Sequence, residues 1–274
     1  MVVKDIYLGV KNMKIGLHLT TYNRKRFTEE CLKSIIWSKP KNSKILIIDN
    51  ASTDDTYNIL NEYFRNYPDL IENVIFNDKN YHLGAAIIQG WTYLKDTCDI
   101  LCCINNDFLL EPGWEENVIS CFSEIESLDY ITGTVRPDRE KRKKKTPSGN
   151  GQYTTISDVG AAYFILTKHF TEGNFNLLTK PFTKNYVGPG PVFYKSLQEN
   201  KLKGVRLAHP GVLVRHPEYS HPEHIEYYNE TFRLRNLEKN LKKWRYQEKI
   251  GKTRGVINWR DFILKYHPDK AGAD

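Results

Sequence analysis

The sequence predicts an α/β fold built on a mixed, mainly parallel sheet flanked by helices. Three observations predict it. Strand-like and helix-like segments alternate four times within residues 1–126, the pattern of a sheet with crossover helices. The runs KILIID at 44–49 and ILCCIN at 100–105 are apolar without alternation, as strands buried on both faces are. Polar residues follow all four strands, at the edge where an open parallel sheet holds its ligand.

Residues 14–20 (KIGLHLT) read as the first strand and 26–38 as an amphipathic helix. After the strand at 44–49, Ser52 or Thr53 can cap a helix over 54–67. Asp54 and Asp55 favour the positive end of its dipole, and Pro68 stops it. Residues 73–77 form the third strand and 82–96 the third helix. The fourth strand is 100–105, and a helix over 113–126 follows the Pro112-Gly113 break. Beyond 127 the pattern changes. A strand is expected at 129–135, and a polar, basic, glycine-containing loop at 136–153. Another strand is expected at 158–166, with a short helix after it. Pro181, Gly188, Pro189, Gly190 and Pro191 argue against regular structure over 181–191. A helix at 192–200 and a strand at 205–215 come next. Residues 224–249 read as one long basic helix whose Leu234, Leu237, Leu241 and Trp244 form a packing stripe. The chain thus divides into a ligand-binding half (1–126), a second half (127–222) and a basic helical C-terminal extension (223–274).

The 274 residues are ample for a buried core. Hydrophobic residues at 40% and charged residues at 27% are ordinary for a globular protein and argue against disorder. The 12% aromatic content suits sites that hold rings or sugars. No apolar stretch is long enough for a membrane-spanning helix, and the N-terminal residues lack the form of a signal peptide. Five cysteines with no CxxC pair point to reduced, buried thiols and a cytoplasmic protein. The net charge of +7 is concentrated. Residues 136–145 carry seven basic and two acidic side chains, and residues 231–254 carry nine and two. Two basic segments on a mildly acidic body fit an anionic partner such as nucleic acid, a membrane surface or a phosphorylated acceptor.

The strand ends carry the chemistry. Asp49 ends the second strand, where its carboxylate can accept from the N–H of a planar base or cap the following turn. Asp107 follows the fourth strand and two Asn. A carboxylate there can hold a hard divalent cation that bridges a diphosphate. One carboxylate makes a thin site, and His216, closing the strand GVLVRH, is the candidate second ligand. No GxGxxG follows the first strand and no Walker loop is present, which disfavours NAD-dependent and P-loop chemistry. The His and Cys spacings do not suit zinc.

The run from Lys14 to Trp114 resembles the nucleotide-binding half of family 2 glycosyltransferases with the GT-A fold. The resemblance rests on TTYNR at 20–24, IDNASTDDT at 48–56, NYHLGAA at 80–86 and INNDFLLEPGW at 104–114, in order and at fitting spacing. It implies a UDP-, GDP- or dTDP-sugar donor, Mn²⁺ or Mg²⁺, and inversion at the anomeric carbon. Asp49 would read the base, with Thr20, Tyr22 and Arg24 lining the nucleotide pocket. Asn80 and Gly84 would shape the wall near the ribose. Asn106 and Asp107 occupy the family's DxD-type position, Asp107 on the metal, and His216 matches the His that completes the metal site.

The second half departs from the family. Where the resemblance implies an acidic cluster holding the catalytic base, Tyr186-Val-Gly-Pro-Gly-Pro-Val-Phe-Tyr has no carboxylate. Asp158 and Glu218 are the nearest candidates for that base. The acceptor is either a surface glycan or lipid-linked saccharide, or a hydroxymethylated DNA base reached through residues 136–145 and 231–254. The rival from another class is a non-catalytic nucleotide-sugar or nucleic-acid binding module on the same fold.

Overall fold

The structure, a computed structural model, describes residues 13–135, 142–155, 162–173, 189–215 and 256–272. The first half contains β1 (Ile15–Thr21), α1 (Lys25–Trp37), β2 (Ser43–Asp49), α2 (Thr56–Asn66), β3 (Ile71–Phe76), α3 (His82–Leu94), β4 (Ile100–Asn105), β5 (Phe108–Leu110) and α4 (Trp114–Glu124). The second half adds β6 (Tyr130–Thr132), β7 (Lys144–Lys145), β8 (Gln152–Thr155), β9 (Tyr163–Leu166), α5 (Thr167–Thr171), α6 (Pro189–Glu199), β10 (Gly204–Leu207) and β11 (Val212–Arg215). Strand β12 (Val256–Ile257) and helix α7 (Trp259–Tyr266) follow.

Among the described residues the main sheet has nine strands in the order β3-β2-β1-β4-β9-β6-β10-β8-β7. β3, β2, β1 and β4 are parallel. β9 reverses direction beside β4 and pairs antiparallel with β6 as well. This is the mixed, mainly parallel sheet that the alternation predicts. A smaller sheet, β12-β11-β5, lies beside it. Ile15, Leu17 and Leu19 of β1 join one apolar cluster with Cys31, Leu32 and Ile35 of α1. On the other face Leu46 and Ile48 of β2 pack with Ile87, Trp91 and Leu94 of α3. Each fully buried side chain of this kind contributes roughly 1.5–3 kcal/mol. α3 crosses β1 closely because Gly90 faces His18: a Cβ on Gly90 would lie 2.5 Å from that ring. The five cysteines are free and buried, and burial pushes the Cys103 and Cys121 thiols up to about 12.

Several local expectations need correction. Neither Ser52 nor Thr53 caps α2, which starts at Thr56, whose N–H donates to Asp54 Oδ1. Ser52 is drawn instead to Asp49, and Thr53 to Asn23. Within the predicted loop 136–153, β7 pairs antiparallel with β8. The turn between them is closed by Thr146 N–H to Gly151 O and Gly151 N–H to Thr146 Oγ1. Helix α6 begins at Pro189, inside a stretch expected to be irregular. The first turn of a helix leaves its N–H groups without intrahelical partners, so Pro189 and Pro191 fit there. The strand expected over 205–215 is two strands, β10 in the main sheet and β11 in the small one, divided at Ala208–Gly211. Asp158, His216, Glu218 and the basic segment 231–254 lie outside the described residues, as do 136–141.

Residues 256–272 return to the body. Val256 pairs with Val214, and Trp259, Phe262 and Ile263 join the main apolar cluster. Trp259 stacks on Trp37 with centroids 5.5 Å apart. Buried Glu111 fastens this segment: it accepts from His209 Nδ1 at 2.7 Å, from Gly211 N at 2.7 Å and from the Tyr266 hydroxyl. Burial and the Glu111 carboxylate push the Tyr266 hydroxyl well above its usual value, so it stays a donor. None of the described helices is long and apolar enough to cross a membrane.

Candidate functional site

Because β1 to β4 run parallel, their carboxyl ends meet along one edge. Register places Thr21 beside Asp49, Asp49 beside Phe76, and Thr20 beside Asn105. The loops leaving this edge are conformationally strained. Asn23, Arg24, Ala51 and His82 all adopt positive φ, between 51° and 65°. Non-glycine residues rarely do so, and such strain gathers at functional sites.

The loop after β1 is tied to both neighbouring strand ends. Asn23 N–H donates to Ser52 Oγ at 2.7 Å, and Asn23 Oδ1 accepts from Thr53 N–H at 2.7 Å. Arg24 turns inward and is 3% exposed. Its guanidinium donates to Asn106 Oδ1 at 2.5 Å, lies 3.5 Å from Asp107 Oδ2, and sits 5.1 Å over the Phe27 ring. Asn106 is also buried, donating through Nδ2 to Thr28 Oγ1 and Asn23 O. Asn106 and Arg24 therefore build the floor beneath Asp107 rather than the open surface of a pocket.

Asp107 differs from both. Its side chain is 30% exposed, one oxygen faces Arg24, and Oδ1 is buried without a hydrogen-bond partner. A buried, unpartnered carboxylate oxygen is unfavourable unless a ligand completes it. The donor chemistry fits Mg²⁺ or Mn²⁺, which take one or two carboxylates plus substrate phosphates. Among the described residues no group of three or more His, Cys, Asp or Glu gathers to hold a metal. β11 runs antiparallel to β5 with Val214 opposite Phe108, the residue after Asp107.

Asp49 takes the capping role. It is 2% exposed; Oδ1 accepts from the Thr21 and Ser52 hydroxyls and Oδ2 from Ser52 N–H at 2.9 Å. A carboxylate oxygen has two lone pairs, so Oδ2 keeps one acceptor position. Thr20 is 8% exposed, its Oγ1 3.2 Å from His18 Nε2. Complete burial lowers the His18 pKa to about 3, so this imidazole is neutral. Tyr22 is half-buried in the loop after β1. Asn80 Oδ1 accepts from His82 N–H at 2.8 Å and sets the start of α3, in whose first turn Gly84 is buried.

The polar end of β3, one of the four strand ends that the sequence groups at one edge, lies in an open cleft of about 490 Å³ lined by Phe76, Asn77, Asp78, Tyr81, Ala85 and Gln89. Asn77 and Gln89 exchange amide hydrogen bonds at 3.1 and 3.2 Å, and Asn77 also donates to Asn50. The Tyr81 hydroxyl donates to Asp78 at 2.8 Å. In the second half of the chain, Phe193 of α6 stacks on Tyr163 at 4.5 Å and meets the Trp91 ring edge at 5.3 Å.

Comparison with known proteins bears on the family and the fold. The family model described as glycosyl transferase family 2 matches residues 17–202. A dTDP-rhamnosyl transferase, RfbG, of Shigella flexneri is 33% identical over 138 residues, covering 49% of this chain and 47% of the relative. A hyaluronan synthase of Streptococcus pyogenes is 25% identical over 156 residues, covering 56% and 37%. The chain thus spans less than half the length of these curated relatives. In fold it is similar to a mannosyltransferase, PcManGT, from Pyrobaculum calidifontis, solved with GDP-Man and Mn²⁺. The TM-score is 0.53 at 15% identity, covering 74% of this chain and 61% of that one.

Proposed function

The chain belongs to glycosyl transferase family 2, and from that footing we propose that it transfers a sugar from a nucleoside-diphosphate sugar to a hydroxyl acceptor. The observation that carries the reading is Asp107. It stands at the shared edge of four parallel strands with one oxygen buried and lacking a hydrogen-bond partner. A divalent cation bound there would stabilise the departing diphosphate as a Lewis acid. Asp107 would supply the protein's carboxylate to it. His216 would add a second ligand, since β11 heads towards Asp107 and His216 directly follows that strand. Asp49 and the Thr21–Ser52 pair that holds it would present one acceptor position to a base N–H, while Thr20 and Tyr22 line the nucleotide pocket. Asn80 and Gly84 would fix the wall near the ribose through the start of α3.

Inverting transfer needs a base to take the acceptor proton. On this reading that base is Asp158 or Glu218. The acceptor is a glycan or lipid-linked saccharide, or a hydroxymethylated DNA base. The exposed residues Arg142 to Lys145 favour an anionic one. One observation favours a second reading, a binding module without catalysis: residues 188–191 lack a carboxylate. Donor hydrolysis by the full chain with Mn²⁺ and UDP-, GDP- or dTDP-sugars separates the two. Turnover that is lost in Asp107→Ala and in EDTA supports the enzyme. A variant that binds and turns over donor like the wild type in both conditions refutes the metal assignment.

A further inference from the structure

Arg24 is held where it cannot easily leave. Its backbone is left-handed, at φ 60° and ψ 53°. Its guanidinium is engaged by Asn106 and stacked over Phe27, and Asn106 is itself fastened to Thr28 and to the Asn23 carbonyl. The side chain is 4% exposed, against 30% for Asp107 beside it. This arrangement fixes a positive charge 3.5 Å from one oxygen of Asp107, while the other oxygen is buried without a hydrogen-bond partner.

Such a charge has two consequences. It offsets the carboxylate and holds it in one position. It also repels any cation that approaches the carboxylate, and because the guanidinium is buried and held in place it cannot swing away from the arriving ion. A divalent cation arriving alone gains one carboxylate and meets Arg24. The same cation arriving with a diphosphate brings negative charge that both Arg24 and the cation attract. We infer that Arg24 is a fixed counter-charge that makes Asp107 accept a divalent cation together with a diphosphate and reject the bare ion. The inference rests on the reading of Asp107 given above, and assigns Arg24 a positioning role rather than a contact with the reacting atoms.

The test measures Mn²⁺ binding to the full chain as the Mn²⁺ retained with the protein on equilibrium dialysis, in excess of a protein-free chamber holding the same nucleotide. Wild type, Arg24→Gln and Arg24→Lys are compared, with and without UDP, GDP and dTDP. Circular dichroism follows the fold, and Arg24→Met, which can still cover Phe27, replaces the Gln variant if that one does not fold. Without nucleotide, the neutral variant should bind Mn²⁺ at least about tenfold more tightly than wild type. Arg24→Lys, which keeps the charge, should stay as weak as wild type. Addition of the diphosphate should tighten Mn²⁺ binding more in wild type than in the neutral variant. Equal affinity of wild type and neutral variant for the bare ion overturns the counter-charge. If Mn²⁺ is still taken up with nucleotide in that case, the Asp107 reading stands. No uptake by wild type with any of the three nucleotides overturns the Asp107 reading, and the inference with it.

Discussion

Asp49 joins the fold to the candidate nucleotide pocket, and its replacement separates the two roles. Its carboxylate accepts three hydrogen bonds, two at Oδ1 from hydroxyls and one at Oδ2 from Ser52 N–H. Hydrogen bonds to a charged group contribute about 1.5–3 kcal/mol each, and bonds sharing an oxygen do not add fully. Asp49→Ala also leaves Ser52 N–H and the buried Thr21 hydroxyl to find new partners. The expected loss is about 3–5 kcal/mol of unfolding free energy, a large share of the typical 5–15 kcal/mol. Asp49→Asn should behave differently. Its amide oxygen can take the Ser52 N–H while its NH₂ donates to the two hydroxyls, which can turn to accept. That variant should lose about 1 kcal/mol. Urea denaturation followed by far-UV circular dichroism measures both. An Ala variant within 1 kcal/mol of wild type would refute the capping argument. An Asn variant as damaged as Ala would show that hydrogen-bond geometry is not the cause. In calorimetric titration, the folded Asn variant should bind bare nucleotide about 1–2 kcal/mol more weakly. A loss confined to the intact sugar nucleotide would place Asp49 away from the base.

Three further outcomes are expected. Glu111→Ala should cost about 3–5 kcal/mol by stranding Gly211 N–H and releasing Tyr266, and should make residues 256–272 sensitive to limited proteolysis; unchanged protease resistance would argue against the fastening. His18 is neutral in the fold down to about pH 3 but takes a proton near pH 6.5 when unfolded, so stability should fall as pH drops below 6.5. The His18 share is at most about 1.4 kcal/mol per pH unit, and it should vanish from the pH profile of His18→Gln; parallel profiles would sink the assignment. Neutralising Arg142, Lys143, Lys144 and Lys145, all exposed on or beside the edge strand β7, should flatten the log–log salt slope of duplex DNA binding by about 2 if the acceptor is DNA. A mobility-shift salt series with no binding by wild type at low salt would remove DNA.

The core of the fold was legible because its signals are local. KILIID and ILCCIN can hardly be anything but doubly covered strands, and the turn after each shows which polar residues share an edge. What escaped depended on partners far along the chain. Strand β5 is three residues long and exists because β11 pairs with it. β8 is held by Asn117, which accepts from Gln152 N–H, and by pairing with β10. The same distance effect blurred the site. Arg24 and Asn106 have the composition of ligand contacts, yet their side chains turn to each other, and Asp49 commits most of its carboxylate to Thr21 and Ser52. Asp107 differs in that its Oδ1 has no hydrogen-bond partner, and no residue pattern in the sequence shows that.

The attachment of residues 256–272 also bears on how the chain reaches this fold. Glu111 and Tyr266 are 155 residues apart in sequence, and β5, β11 and β12 close one small sheet across a similar span. During synthesis the first four strands can assemble early from neighbours, but Glu111 gains His209 and Gly211 only after β10 and Tyr266 only once α7 emerges. Closure of the small sheet is therefore a late, non-local event, of the kind that slows folding and lengthens exposure to aggregation. A nascent chain stalled before residue 256 would present an apolar seam where Trp37 awaits Trp259, and that seam is where a chaperone would be expected to bind.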